Sequence, residues 1–214
     1  MAPIRVALIG LSASAKTSWA SAAHLPYLLS PAGLAKFQIV ALLNSSVDAA
    51  RAAISTYNLP PTTRAYGSPA DLAVDPDVDL VVCNTRVDVH ESTIEASVAA
   101  GKAVFCEWPL AQNSAHAGAL VAKANGAATL DKTIVGLQGR VFPLVRNLNE
   151  VIASGRIGKV LSSEVRIFGG LNDREILPKS LEYFTDSEVG GNIYTIGFAH
   201  GKFLLVWGLF VRGG

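Results

Sequence analysis

Cysteine is nearly absent: Cys83 and Cys106 are the only two in 214 residues. Two cysteines this far apart supply neither a disulfide framework nor the close spacing of a metal knuckle. The expectation is two buried small hydrophobes, no metal, and a reducing intracellular setting. Charge is scarce too. Asp, Glu, Lys and Arg make up 16% of the chain, and 18 basic against 17 acidic residues leave a formal net charge of +1. No basic footprint points to direct nucleic-acid binding or to an anionic membrane surface. Long apolar runs are also missing. Residues 203–211 are apolar over about half the length a spanning helix needs. The N-terminus has no basic segment leading into a long apolar core, so no signal peptide is expected. What the chain does have is hydrophobicity: half its residues are apolar, which supports a substantial core and argues against disorder.

These apolar residues alternate between two periodicities. Residues 3–10 form a short apolar run ending on Gly10. A small-residue loop, Leu11-Ser12-Ala13-Ser14-Ala15, follows, then a helical stretch reaching Leu29. Residues 37–44 read as a buried strand, and 47–57 as a helix with Val47, Ala50, Ile54 and Tyr57 on one side. A weak strand at 62–66 precedes a helix capped by Ser68. Further strands are predicted at 78–84, 103–107 and 133–137. Helices at 91–100, closed by Gly101, and at 114–125 separate them. Strands that are apolar throughout and alternate with helices predict a doubly wound parallel sheet, covered on both faces. Right-handed crossovers bring all the strand C-termini to one edge, where open α/β sheets bind ligands.

A strand opening through a small-residue turn into a helix suits a dinucleotide pyrophosphate. The turn departs from G-x-G-x-x-G, however. Ser12 takes the second glycine position and Ala15 the third, so an ordinary βα turn explains it as well. After Gln138-Gly139-Arg140 the rhythm changes. A helix at 142–154, stopped by Gly155, precedes an alternating strand at 160–168 of the kind found in antiparallel sheets with one wet face. Two domains are expected: a Rossmann-type domain over 1–138 and an incomplete α+β domain over 139–214. The unpaired edges of that partial sheet and the apolar run at 203–211 mark the C-terminal part as prone to association.

Three segments together carry a family resemblance. They are Val78-Asp79-Leu80-Val81-Val82-Cys83-Asn84-Thr85, His90, and Ala99-Ala100-Gly101-Lys102-Ala103-Val104-Phe105-Cys106-Glu107-Trp108-Pro109-Leu110-Ala111. They resemble the Gfo/Idh/MocA family of NAD(P)-dependent oxidoreductases, whose pattern is an apolar strand, T-x-x-x-x-H and A-G-K-x-V-x-C-E-K-P-L-A. Within it the chain is most similar to a fungal regulatory branch, the galactose-regulon repressors. That similarity rests on Ala2-Pro3-Ile4-Arg5-Val6 with Gly10-Leu11, Phe37-Gln38-Ile39 with Ala41-Leu42, Glu107-Trp108, Leu137-Gln138-Gly139-Arg140 and Ile157-Gly158. The resemblance runs to about His200 and implies a second domain cut short.

Family chemistry uses the lysine of E-K-P and an acid in G-G-x-L-x-D-x-G-x-H. Here those positions hold Trp108, whose indole only donates, and Thr195. His200 remains as a candidate base or a structural histidine. The resemblance implies NAD or NADP bound by Gly10, Leu11, Ser12, Ala13, Asn44, Ser45, Asn84, Thr85, His90, Glu107 and Trp108. Several of these have local alternatives: capping or packing for His90, ordering of loop backbone for Glu107, plain core for Trp108. Lys16 and Trp19 also follow the first loop. No acid follows the second strand, where Asn44-Ser45-Ser46 stand with Arg51 nearby, so neither dinucleotide is excluded. The regulatory branch implies a non-catalytic sensor in the cytoplasm and/or nucleus. A transcriptional activator or other protein would be its partner, and a homo-oligomer is compatible with it. The other reading is an oxidoreductase acting on a sugar or polyol.

Overall fold

The computed structural model describes residues 2–12, 14–15, 18–124, 126–162 and 179–190. The chain divides into two compact units, Met1–Val135 and Gly136–Gly214. The first is built on a six-stranded sheet in the order β3-β2-β1-β4-β5-β6. Its strands are β1 (Ile4–Ile9), β2 (Phe37–Leu43), β3 (Arg64–Tyr66), β4 (Leu80–Cys83), β5 (Ala103–Glu107) and β6 (Ile134–Gly136). The β3-β2, β2-β1, β1-β4 and β4-β5 pairs are all parallel. This is the dinucleotide-fold order, with its reversal between β1 and β4.

Alternation along each strand divides the side chains between two cores. Ala7, Ile9, Val81, Cys83, Val104 and Cys106 pack with Leu72, Ile94, Val98 and Leu120 on one face. Val6, Leu8 and Val82 pack with Leu11, Leu25, Ala50, Ala53 and Leu59 on the other. The β1–β2 register slips once, from Val6 opposite Ile39 to Ala7 opposite Ala41. The slip leaves Val40 as a bulge. It also explains why Ile39 and Leu42, three apart, share one core while Ala41 and Leu43 share the other.

The helices start where short polar side chains supply caps. Ser46 Oγ accepts from Ala49 N–H at 3.1 Å at the head of α3 (Val47–Thr56). Ser68 does the same for α4 (Pro69–Ala73), and Asn113 for α6 (Ser114–Ala122). The helix expected to reach Leu29 is a π turn at Ala20–His24 running into a short α1 (Leu25–Leu28), and a further helix, α2 (Pro31–Leu34), follows before β2. Ser30 caps α2 ahead of Pro31, which sits where a helix tolerates proline. In α3, Ala50 and Ala53 are buried and Ile54 and Tyr57 pack partly buried against the same core, so the expected face is inward except for Val47, which is exposed. Helix α5 (His90–Ala99) closes through Gly101 at φ +77. The helix expected over 114–125 ends at Ala122, and a further turn, α7 (Ala127–Leu130), precedes β6.

The strand N-terminal edge is braced by charge. Arg5 donates to both carboxylate oxygens of Asp79 at 3.0 and 2.7 Å and to Asp77 at 2.8 Å. Buried Asp75 accepts from the Tyr66 hydroxyl at 2.7 Å and from Asp77 N–H at 2.9 Å. Arg64 Nε lies 2.9 Å from the same carboxylate, but its N–H points elsewhere, so that contact is Coulombic. Burial alone would raise the Asp75 pKa. The two hydrogen bonds, with Arg64 and Lys102 nearby, bring it below the usual aspartate value. Burial, then the Asp75 contact, pushes the Tyr66 phenol up to about 12.

In the second unit, α8 (Pro143–Ala153) follows a turn at Gln138–Val141, and Val145 is its buried residue. Residues 160–162 form no strand. The rest of the strand expected at 160–168, and the apolar run at 203–211, lie outside the described residues. Among the described residues no helix is long and apolar enough to cross a membrane.

Candidate functional site

The order reversal sets the loop after β1 beside the loop after β4. Gly10 N–H donates to Leu43 O at 3.1 Å and Asn84 N–H donates to Ile9 O at 3.1 Å, so the ladder runs one residue past each strand. Gly10 then turns at φ +87. A Cβ there would meet Thr85 Cγ2 at 3.1 Å and Asn84 O at 3.2 Å. Both the backbone angle and the approach of residues 84–85 therefore require glycine. Leu11, fully buried, pins the loop to the core.

Beyond Leu11 the loop is a serine cluster. Ser14 N–H donates to Ser12 Oγ at 3.3 Å, and Ser18 Oγ donates to Ser12 O at 3.0 Å. Ala13, Lys16, Thr195 and His200 lie outside the described residues, so the structure places none of them.

Asn44, at the end of β2, donates from Nδ2 to Leu11 O at 2.8 Å and ties the first loop to the head of α3. Its Oδ1 is buried and finds no donor among the described residues, and the same holds for Oδ1 of Asn84 at the end of β4. Two unsatisfied carboxamide oxygens thus flank β1 on the strand C-terminal edge. Such orphaned acceptors are costly unless something donates to them. Ser45 is exposed beside Asn44.

Glu107 ends β5 on the same edge. Its Oε1 accepts from Trp19 Nε1–H at 3.0 Å and lies 2.5 Å from His24 Nε2. The His24 ring meets Phe105 edge-on, with centroids 5.5 Å apart. The π turn between β1 and α1 is therefore fastened to β5 through a carboxylate. Trp108 is half-buried at the next position. His24 escaped the sequence reading because nothing in Ala23-His24-Leu25 marks a histidine that meets a residue 83 positions later.

His90 is 1% exposed and faces backbone. Its Nδ1 lies 2.8 Å from Pro109 O and its Nε2 2.9 Å from Thr85 O, so it braces the β4 and β5 loops against each other. A neutral imidazole has one N–H and donates to only one of the two carbonyls. Cys106 Sγ lies 3.3 Å from His90 Nδ1. Cys83, opposite Cys106 in the β4–β5 register, has Thr85 Oγ1 at 3.4 Å. Hydrogen bonding from Cys106, against the cost of burial, holds the Cys83 thiol below its usual value, and the same contact pushes Cys106 up. Sequence spacing alone gives no sign that these three residues converge, because each comes from a different element.

The fold order and this loop pair define a Rossmann-fold, dinucleotide-type domain. Residues 4–130 match the model described as the oxidoreductase family with an NAD-binding Rossmann fold, and residues 143–208 match the model of the Gal80p C-terminal domain. The chain belongs to the Gfo/Idh/MocA oxidoreductase family. It is 34% identical to dehydrogenase aclE of Aspergillus oryzae, over 92% of this chain and 52% of that protein. It is 30% identical to the galactose/lactose metabolism regulatory protein GAL80 of Kluyveromyces lactis, over 92% of this chain and 43% of that protein. Among solved structures it is similar to a super-repressor mutant of Gal80p from Saccharomyces cerevisiae. The TM-score is 0.63 at 28% identity, covering 73% of this chain and 40% of that one. The chain spans about half the length of the curated relatives it matches.

Proposed function

We propose that this chain is a dinucleotide-binding regulator or sensor of the Gal80 kind, lacking the family's proton-transfer pair. The observation that carries the reading is the pair of orphaned carboxamide oxygens, Asn44 Oδ1 and Asn84 Oδ1, beside a loop that only Gly10 permits. The donor–acceptor inventory fits NAD or NADP: ribose hydroxyls donate where these oxygens lack partners. Gly10, Leu11, Ser12 and Ala13 would carry the pyrophosphate, Asn44 and Ser45 the adenosine ribose. Asn84, Thr85, Glu107 and Trp108 would line the nicotinamide end, with His90 behind them as a brace. The bound cofactor would supply hydride chemistry. This chain offers Trp108 where the family places lysine, and an indole cannot cycle a proton. The reading makes the regulated partner a protein, a transcriptional activator segment being the class that the Gal80 likeness suggests. It also places the chain in the cytoplasm and/or nucleus.

One feature favours the second reading, an oxidoreductase on a sugar or polyol. His24 and Glu107 form a titratable pair on the strand C-terminal edge, 2.5 Å apart, and a histidine–carboxylate pair can move protons. Calorimetry with NAD, NADP and their reduced forms, followed by nicotinamide absorbance with a panel of sugars, separates the two. The regulator reading expects binding without turnover. Turnover abolished by His24→Ala establishes the enzyme, and a folded chain that binds none of the four dinucleotides removes both.

A further inference from the structure

We propose that Cys83, His90 and Cys106 form a binding site for one thiophilic divalent cation of the Zn2+ class. Their ligand atoms lie within 4.8 Å of one another, and all three residues are buried. The two cysteines face each other across the β4–β5 register, and His90 reaches them from the head of α5. Tetrahedral zinc bound at about 2.3 Å to sulfur and 2.0–2.1 Å to nitrogen puts those two atoms roughly 3.5 Å apart. Here His90 Nδ1 and Cys106 Sγ are 3.3 Å apart.

The hydrogen bonding around His90 points the same way. Both ring nitrogens face carbonyl oxygens, and a neutral ring satisfies only one of them. With Nε2–H donating to Thr85 O, the ring is held as metal-binding histidines are held, by a backbone acceptor on the far nitrogen. The Nδ1 lone pair then accepts from the Cys106 S–H at 3.3 Å, and loss of that thiol proton leaves both atoms able to bind one cation. Pro109 O lies 2.8 Å from Nδ1, a hydrogen-bond distance, and the three side chains alone are the protein ligands of the site.

Charge closes as well. A divalent cation displaces one proton from each thiol, and M2+ with two thiolates and a neutral imidazole is electrically neutral, which is what a buried site requires. Thr85 Oγ1, 3.4 Å from Cys83 Sγ, can donate to the thiolate. Soft sulfur ligands favour Zn2+ over Mg2+ or Ca2+.

The test uses the full chain, reduced and free of metal, with Co2+ as the spectroscopic probe and Zn2+ as competitor. The chain has only two cysteines, so a thiolate-to-cobalt charge-transfer band can arise only from Cys83 and Cys106. The expected result is that band saturating at one equivalent and bleached by Zn2+. Native mass spectrometry should then show one zinc gained and two protons lost, together with a raised melting temperature. The Cys83→Ser, Cys106→Ser double variant should lose the band. If that variant does not fold, the wild-type mass balance and band decide alone. A folded, reduced chain that takes up no metal overturns the assignment. So does metal bound without a thiolate band, or a mass falling by two hydrogens through a Cys83–Cys106 disulfide with no metal gained.

Discussion

Replacing Asp75 with alanine tests whether the charged brace opposite the ligand edge holds the sheet together. The carboxylate accepts two hydrogen bonds, from Tyr66 at 2.7 Å and from Asp77 N–H at 2.9 Å, and faces Arg64. A hydrogen bond to a charged group contributes about 1.5–3 kcal/mol. Asp77 and Arg64 are partly exposed, so water recovers some of what they lose, and the ion pair adds no more than about 1 kcal/mol. The expected cost of Asp75→Ala at neutral pH is therefore about 2–4 kcal/mol. A domain stable by about 5–15 kcal/mol would notice this. With a urea slope of about 1–3 kcal/mol/M, the midpoint should fall by roughly 1–2 M. Asp75→Asn, which keeps one acceptor, should cost less. The pH dependence has a definite sign. The folded pKa of Asp75 is depressed, so its contribution is present above the unfolded value of about 3.9 and is lost as pH falls through the lower folded value. The gap between wild type and Asp75→Ala should be full at pH 6–7 and shrink below about pH 4. A gap under about 0.5 kcal/mol at pH 7, or one that widens on acidification, would refute the reasoning.

Other outcomes follow from the same geometry. Tyr66, with its phenol raised to about 12, should stabilise the fold below its unfolded pKa near 10 and lose that contribution as pH climbs to 12; Tyr66→Phe should flatten the alkaline limb of a urea-midpoint titration. Gly10→Ala forces a side chain into φ +87 and against Thr85 and Asn84, costing at least about 1–2 kcal/mol; calorimetry should show dinucleotide binding weakened tenfold or more, and unchanged affinity would count against the site. Glu107→Ala should release Trp19 and His24 together, so that Trp19 emission, isolated by replacing Trp108 and Trp207 with phenylalanine, moves to the red. A chain ending at residue 138 should fold and bind dinucleotide as the full chain does; loss of cooperative unfolding in that piece would argue against an independent first domain.

The sheet was legible in the sequence because its strands are apolar on both faces and its turns carry Gly10, Ser46, Ser68 and Gly101 where local chemistry demands them. The helical stretch after the first loop was legible only in part. It ends near Leu29 as expected, but it begins with a π turn whose His24 meets Glu107, a contact no local propensity encodes. The inward face of α3 was legible except at its first residue: Ala50, Ile54 and Tyr57 pack on the core, while Val47, at the helix start, is exposed. In the site, Gly10 and Asn44 announce themselves by position after a strand. His24 meets a residue 83 positions away, and Cys106 joins Cys83 and His90 from a separate strand, 16 positions beyond His90; no local spacing rule announces either.

The bulge at Val40 makes β2 tolerant of losing one residue at one place. Elsewhere in a strand buried on both faces, deleting a residue would send every later side chain to the wrong core. At Val40 the deletion would restore strict alternation, because Ile39, Ala41, Leu42 and Leu43 already occupy the faces that an unbulged strand would give them. The sheet would lose the packing of one half-buried valine and keep both cores. The spare residue makes this position the place where two sheets of the same design can differ in length by one codon and still superimpose at the ligand edge.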